Sequence, residues 1–123
     1  MTVLGIDHVQ IAAPPGCEDD ARVFYGAHLG MDELPKPEPI RRRGGCWFRA
    51  GDQELHIGVE DSFAPARKAH PGLVVSDLDE VRSRFRAAGV AYEDDAKIAG
   101  TDRLFVHDPF GNRLEIRRSA DHV

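Results

Sequence analysis

The chain has 123 residues, of which 21 are acidic and 16 basic for a formal charge of −5, and 41% are hydrophobic. This length supports one ordinary domain, or two half-size modules, with a core that needs no staples. Fibres and disordered tails are excluded, acidity disfavours non-specific binding to nucleic acid or anionic membranes, and no apolar run nears the ~20 residues of a membrane span. The opening MTVLGIDHV is not read as a signal peptide, and Cys17 and Cys46 match neither a zinc spacing nor a disulfide framework. A reducing, cytoplasmic setting is expected.

Taken in chain order, residues 5–12 (GIDHVQIA) alternate as a strand does. Ala21, Phe24, Tyr25 and Leu29 then fall at helical spacing, closed by Gly30. Short strand-like runs follow at 33–34, 46–50 and 54–59, with Gly51-Asp52 turning the chain before the last. Residues 35–44 carry three prolines and three adjacent arginines and are predicted to be a loop. The same order then recurs. Residues 69–75 read as a strand, and Leu78, Val81, Phe85 and Ala88 as a helix, with Asp77 and Glu80 as a capping box and Gly89 as its end. Strands at 91–93, 104–107 and 113–117 complete the pattern, with Gly111-Asn112 at the last turn and a tail from 119 expected to fray. His8 and His56 are separated by nearly the same interval as His70 and Glu115, and Leu55-His56-Ile57 matches Leu114-Glu115-Ile116. Two β-α-β-β-β modules, 1–60 and 69–118, within a single domain are the economical reading.

Strand alternation assigns faces. His8 and Gln10 oppose Val9 and Ile11, while Glu54 and His56 oppose Leu55, Ile57 and Val59. His70 and Gly72 oppose Leu73 and Val75, and Glu115 opposes Leu114 and Ile116. A solvated sheet face gives the same alternation. Three imidazoles and one carboxylate at repeat-related positions also suit a divalent cation, because two His and one carboxylate can occupy one face of its coordination sphere.

GIDHVQIAAP, ARVFYGAHLGM, GDQELHIGVE, AHPGLVVSDLDEV and HDPFGNRLEI, in that order, resemble the vicinal oxygen chelate superfamily, which includes glyoxalase I, bleomycin-resistance proteins, fosfomycin-resistance transferases and extradiol dioxygenases. The resemblance implies an α+β fold in which two β-α-β-β-β modules form a curled, cup-like mixed sheet, usually in a homodimer. It places metal ligands at His8, His70 and Glu115, and at His56 where glyoxalase I generally has Glu. That departure weakens a glyoxalase I assignment. Glu54, two residues earlier on the same face, is the candidate general base. The expected cofactor is a divalent metal (Ni, Mn, Fe or Zn). The expected function is a lyase, isomerase or transferase acting on a small oxygen-chelating molecule. A small extradiol-type dioxygenase and a non-catalytic drug- or metabolite-binding protein are the alternatives. Gln10 could contact substrate or merely line the cup, Trp47 and Phe48 could wall it or be core, and Arg41–Arg43 with Arg67 and Lys68 could form a cationic rim or a solvated charge run.

Overall fold

The computed structural model describes residues 2–119; Met1 and the tail expected to fray beyond Ser119 lie outside them. The chain divides after Ala64 into two compact units. In the first, β1 (His8–Ala13) is followed by α1 (Glu18–Ala21), a π-helical stretch (Arg22–His28), β2 (Glu33–Leu34), α2 (Glu38–Arg41), β3 (Cys46–Ala50) and β4 (Gln53–Val59). The second runs β5 (Gly72–Val75), α3 (Leu78–Ala88), β6 (Tyr92–Asp95), β7 (Arg103–His107) and β8 (Arg113–Arg118). The sheet orders are β1-β4-β3-β2 and β5-β8-β7-β6, each with one parallel pair and two antiparallel pairs. Among the described residues each sheet is open, with β1 and β2 as the outer strands of the first and β5 and β6 as those of the second. The duplication read from the sequence is therefore a duplication of topology.

The aliphatic faces are buried as alternation requires. Phe48, Leu55 and Ile57 in the first unit, and Leu104, Val106, Leu114 and Ile116 in the second, are at most 2% exposed. Phe24 meets Tyr25 edge-on at 5.0 Å, and Tyr25 lies 5.8 Å from Phe48, so the first helix docks through aromatic rings. Burying each such ring contributes about 1.5–3 kcal/mol. In the second unit Leu78, Val81 and Phe85 form the buried stripe of α3. Asp77 caps that helix by accepting from the Glu80 amide at 3.0 Å, and Gly89 ends it at φ +71°. Arg82 donates to Asp79, Asp94 and Asp102, which ties α3 to β6 and to the approach to β7.

Three elements depart from expectation. The first helix winds with the wider π turn from Arg22, because side-chain periodicity marks a buried face and not the backbone register beneath it. One helical turn, Glu38–Arg41, forms inside the expected loop, with Pro37 as its N-cap and Pro39 in its first turn, where a missing N–H costs no helical hydrogen bond. Finally, β5 begins at Gly72, two residues after His70. Pro71 has no N–H to give a ladder, and its carbonyl instead accepts from the Glu115 amide at 3.1 Å. No helix among the described residues is long and apolar enough to cross a membrane.

Candidate functional site

Strand register builds two matched clusters. In the first unit Gln10 pairs with His56 across the parallel β1–β4 ladder, and Trp47 pairs with His56 from β3. In the second unit Gly72 pairs with Glu115 across β5–β8, and Phe105 pairs with Glu115 from β7. His8 and His70 each stand two residues before the β1 or β5 member of that pair. His56 and Glu115 are thus equivalent positions, as are Trp47 and Phe105.

In the first cluster His56, 5% exposed, lies between two parallel rings. Trp47 stacks on it at 3.9 Å and 3°, and His8 at 4.3 Å and 15°. His56 Nε2 lies 2.9 Å from Glu54 Oε1, and a carboxylate accepts, so Nε2 carries the proton there. As a metal ligand His56 would offer Nδ1. His8 Nδ1 is likewise held by Asp7 Oδ2 at 2.9 Å, which leaves its Nε2 lone pair available. Gln10 lies over Gly58: a Cβ at that glycine would come within 2.6 Å of Gln10 Nε2.

In the second cluster His70 Nδ1 donates to the Lys68 carbonyl at 2.8 Å. A carbonyl can only accept, so the neutral ring has its lone pair on Nε2. That nitrogen is 3.7 Å from Glu115 Oε1, beyond hydrogen-bond reach. Two electron-pair donors therefore face one another across a gap. Imidazole nitrogen and carboxylate oxygen are both donor types that a divalent cation accepts, so His70 and Glu115 would be able to contribute to holding one. The same Glu115 is also neutralised by protein: Arg103 Nη1 donates to Oε1 at 3.1 Å, and Arg117 Nη1 is 3.6 Å from Oε2. Arg103 Nη2 also donates to Asp95 at 3.1 Å, while its Nε is buried with no hydrogen-bond partner among the described residues.

The predicted donors are therefore gathered in pairs, His8 with His56 and His70 with Glu115. Among the described residues no three His, Cys, Asp or Glu side chains are assembled as a metal cluster. The donor types, and the tautomers set at His8 and His70, fit a divalent cation. Phe48 belongs to the core, and Trp47 belongs to the His56 stack. Of the basic groups predicted to form a rim, Arg41–Arg43 belong to the first unit and Arg67 and Lys68 to the second. Arg41 is paired with Glu38 at 2.9 Å, and Arg41 and Arg42 line a cavity of about 390 Å³ with Glu18, Arg22, Glu33 and Lys36. Sequence reasoning placed Arg113 on the Glu115 face without giving it a role, and missed Arg103 and Phe105. Their signal was present, because the period of two on β7 and β8 places all three on the Glu115 face.

Paired modules presenting imidazole and carboxylate groups from matched strands define a duplicated α+β protein with a polar, donor-bearing sheet face. The chain belongs to the Glyoxalase/Bleomycin resistance protein/Dioxygenase superfamily, whose profile matches residues 5–116. A glyoxalase family protein from Bacillus anthracis is 50% identical, with a TM-score of 0.92 over 97% of this chain and 98% of that one. Lactoylglutathione lyase from Agrobacterium tumefaciens is 22% identical (TM-score 0.73; 97% and 96% covered). A fosfomycin resistance protein from Listeria monocytogenes is 15% identical (TM-score 0.77; 97% and 96% covered). The last two share the fold. No curated protein matches in sequence.

Proposed function

We propose that the chain is a small divalent-metal-dependent enzyme, a lyase, isomerase or transferase, acting on a substrate with neighbouring oxygen atoms. His8, His70 and Glu115 would hold the cation, Ni, Mn, Fe or Zn, with His56 Nδ1 as a further donor. The observation that carries this reading is the His70 tautomer: Nδ1–H donates to the Lys68 carbonyl, which leaves the Nε2 lone pair on the side of Glu115. When bound, the cation supplies Lewis-acid polarisation of substrate oxygens. Glu54 acts as base. Its Oε1 accepts from the buried His56 ring, which fixes the carboxylate, and its Oε2 makes no hydrogen bond among the described residues and stays available for a substrate proton. The ring stack holds His56 and therefore positions Glu54. The free, buried thiols of Cys17 and Cys46 suit a reducing, cytoplasmic setting, and a homodimer is the expected assembly.

Metal analysis tests this. Protein purified without chelator, or reconstituted, is expected to hold about one equivalent of cation, and His70→Ala and His8→Ala much less. Less than about a tenth of an equivalent in the unmutated protein overturns the reading. Oxygen uptake with a catechol under Fe(II) separates the dioxygenase variant from non-redox chemistry.

Sequestration of a drug or metabolite without turnover is the second reading. It is favoured by Arg103 and Arg117, which already supply positive charge to Glu115. Ligand binding unchanged in His8→Ala and His70→Ala would select it.

A further inference from the structure

Three arginines share the Glu115 face of the second unit, and they are not equally occupied. Arg103 is divided between Glu115 and Asp95, and Arg117 leans on Glu115. Arg113 has no carboxylate. Its guanidinium carbon lies 4.2 Å from the centre of the Phe105 ring, where Arg103 also sits at 5.1 Å, and it makes no hydrogen bond or ion pair among the described residues. Phe105 in turn meets His70 edge-on at 5.5 Å. A guanidinium seated over an aromatic ring loses little freedom when it binds, and its N–H groups remain available for two oxygens of one acid group. Cross-strand register places it opposite His107 and two residues along β8 from Glu115, on the same face.

We propose that Arg113 is an oxyanion anchor, so that the molecule recognised on this face carries a carboxylate or a phosphate. The anchored acid group sits on the Phe105 platform beside the His70–Glu115 pair. This deepens the substrate class of the function proposed above and rests on that reading only for the choice of face. Charge explains the sign: Glu115 and Asp95 are already engaged by Arg103 and Arg117, and Arg113 is the guanidinium left without a counter-ion.

The test is an NMR titration of metal-free, isotope-labelled protein with inorganic phosphate and, separately, with pyruvate. Saturable shifts are expected at the Arg113 side-chain and Phe105 amide signals, and the tighter of the two probes identifies the acid group. Arg113→Gln should weaken that binding about tenfold, the loss of one charge-assisted, two-pronged contact. Arg113→Lys should keep part of it, because charge remains and the fork does not. Arg43→Gln, on the first unit, should change it by less than about twofold. Binding unchanged in a folded Arg113→Gln protein, or no saturable shift with either anion, overturns the proposal. His70→Ala separates the two readings: phosphate binding kept there supports the anchor even if no cation ever binds. Phosphate binding lost with His70 in metal-free protein also refutes it.

Discussion

Removing the Asp108 carboxylate should loosen the turn that delivers β8, and with it Glu115. Asp108 is 5% exposed and stands just after β7. Its Oδ1 accepts from the Phe110 amide at 2.9 Å and the Asn112 amide at 2.8 Å, and its Oδ2 accepts from Asn112 Nδ2 at 2.9 Å. Asp108→Ala removes the carboxylate acceptor of these three donors while keeping the backbone bonds between residues 108, 111 and 112. A buried donor left without an acceptor costs about 1–3 kcal/mol. Water can reach Phe110, whereas both Asn112 groups are buried, so the total is about 3–4 kcal/mol. Against a stability of roughly 5–15 kcal/mol this is a large fraction, and the melting temperature should fall by roughly 10–15 °C. Urea unfolding followed by far-UV circular dichroism measures it, with the slope expected to stay constant. Asn112→Ala, which removes only the side-chain donor to Oδ2, should cost about half as much. A loss below about 1 kcal/mol for Asp108→Ala would refute the view that this carboxylate organises the turn.

Two further outcomes follow from geometry and charge. A Cβ on Gly45, at φ +86°, would come within 2.0 Å of the Ile57 carbonyl oxygen, so Gly45→Ala should cost about 3 kcal/mol or more in urea unfolding; Gly58→Ala meets only the movable end of Gln10 and should cost about 1 kcal/mol. The Asp102 carboxyl is held below the usual carboxylate range, first by its hydrogen bond from Arg82 and then by that from Arg118. A depressed carboxylate stabilises the fold fully above its unfolded value of about 3.9 and loses that contribution as pH falls through the lower folded value. The destabilisation by Asp102→Asn should therefore be present at neutral pH and shrink in acid; equal penalties at both pH values would contradict it.

Much of this molecule was legible because strands report their faces directly. Alternation alone placed Leu55 and Ile57 in the core and His56 on the opposite side, and the Asp77 and Gly89 signals bounded α3 where it lies. The π-wound first helix was not legible, since Ala21, Phe24 and Tyr25 bury the same stripe in either winding. His70 was expected inside a strand but precedes it, because one missing N–H at Pro71 outweighs the alternation around it. The candidate ligands were found as residue types on faces. Which ring nitrogen is free, that Trp47 covers His56, and that Arg103 bridges Glu115 to Asp95 depend on side-chain torsions that spacing does not encode.

The matched ladders have one more consequence. Because His56 and Glu115 are positioned by parallel pairing to β1 and β5, their orientation is inherited from main-chain register and is insulated from the 35–44 segment. Grafting a foreign sequence there should spare the donors, whereas slipping either parallel ladder by a single residue would turn the side chains of the slipped strand to its opposite face. The connection and the donors are in this sense separately evolvable, the first tolerant of change and the second held by hydrogen-bonded strands.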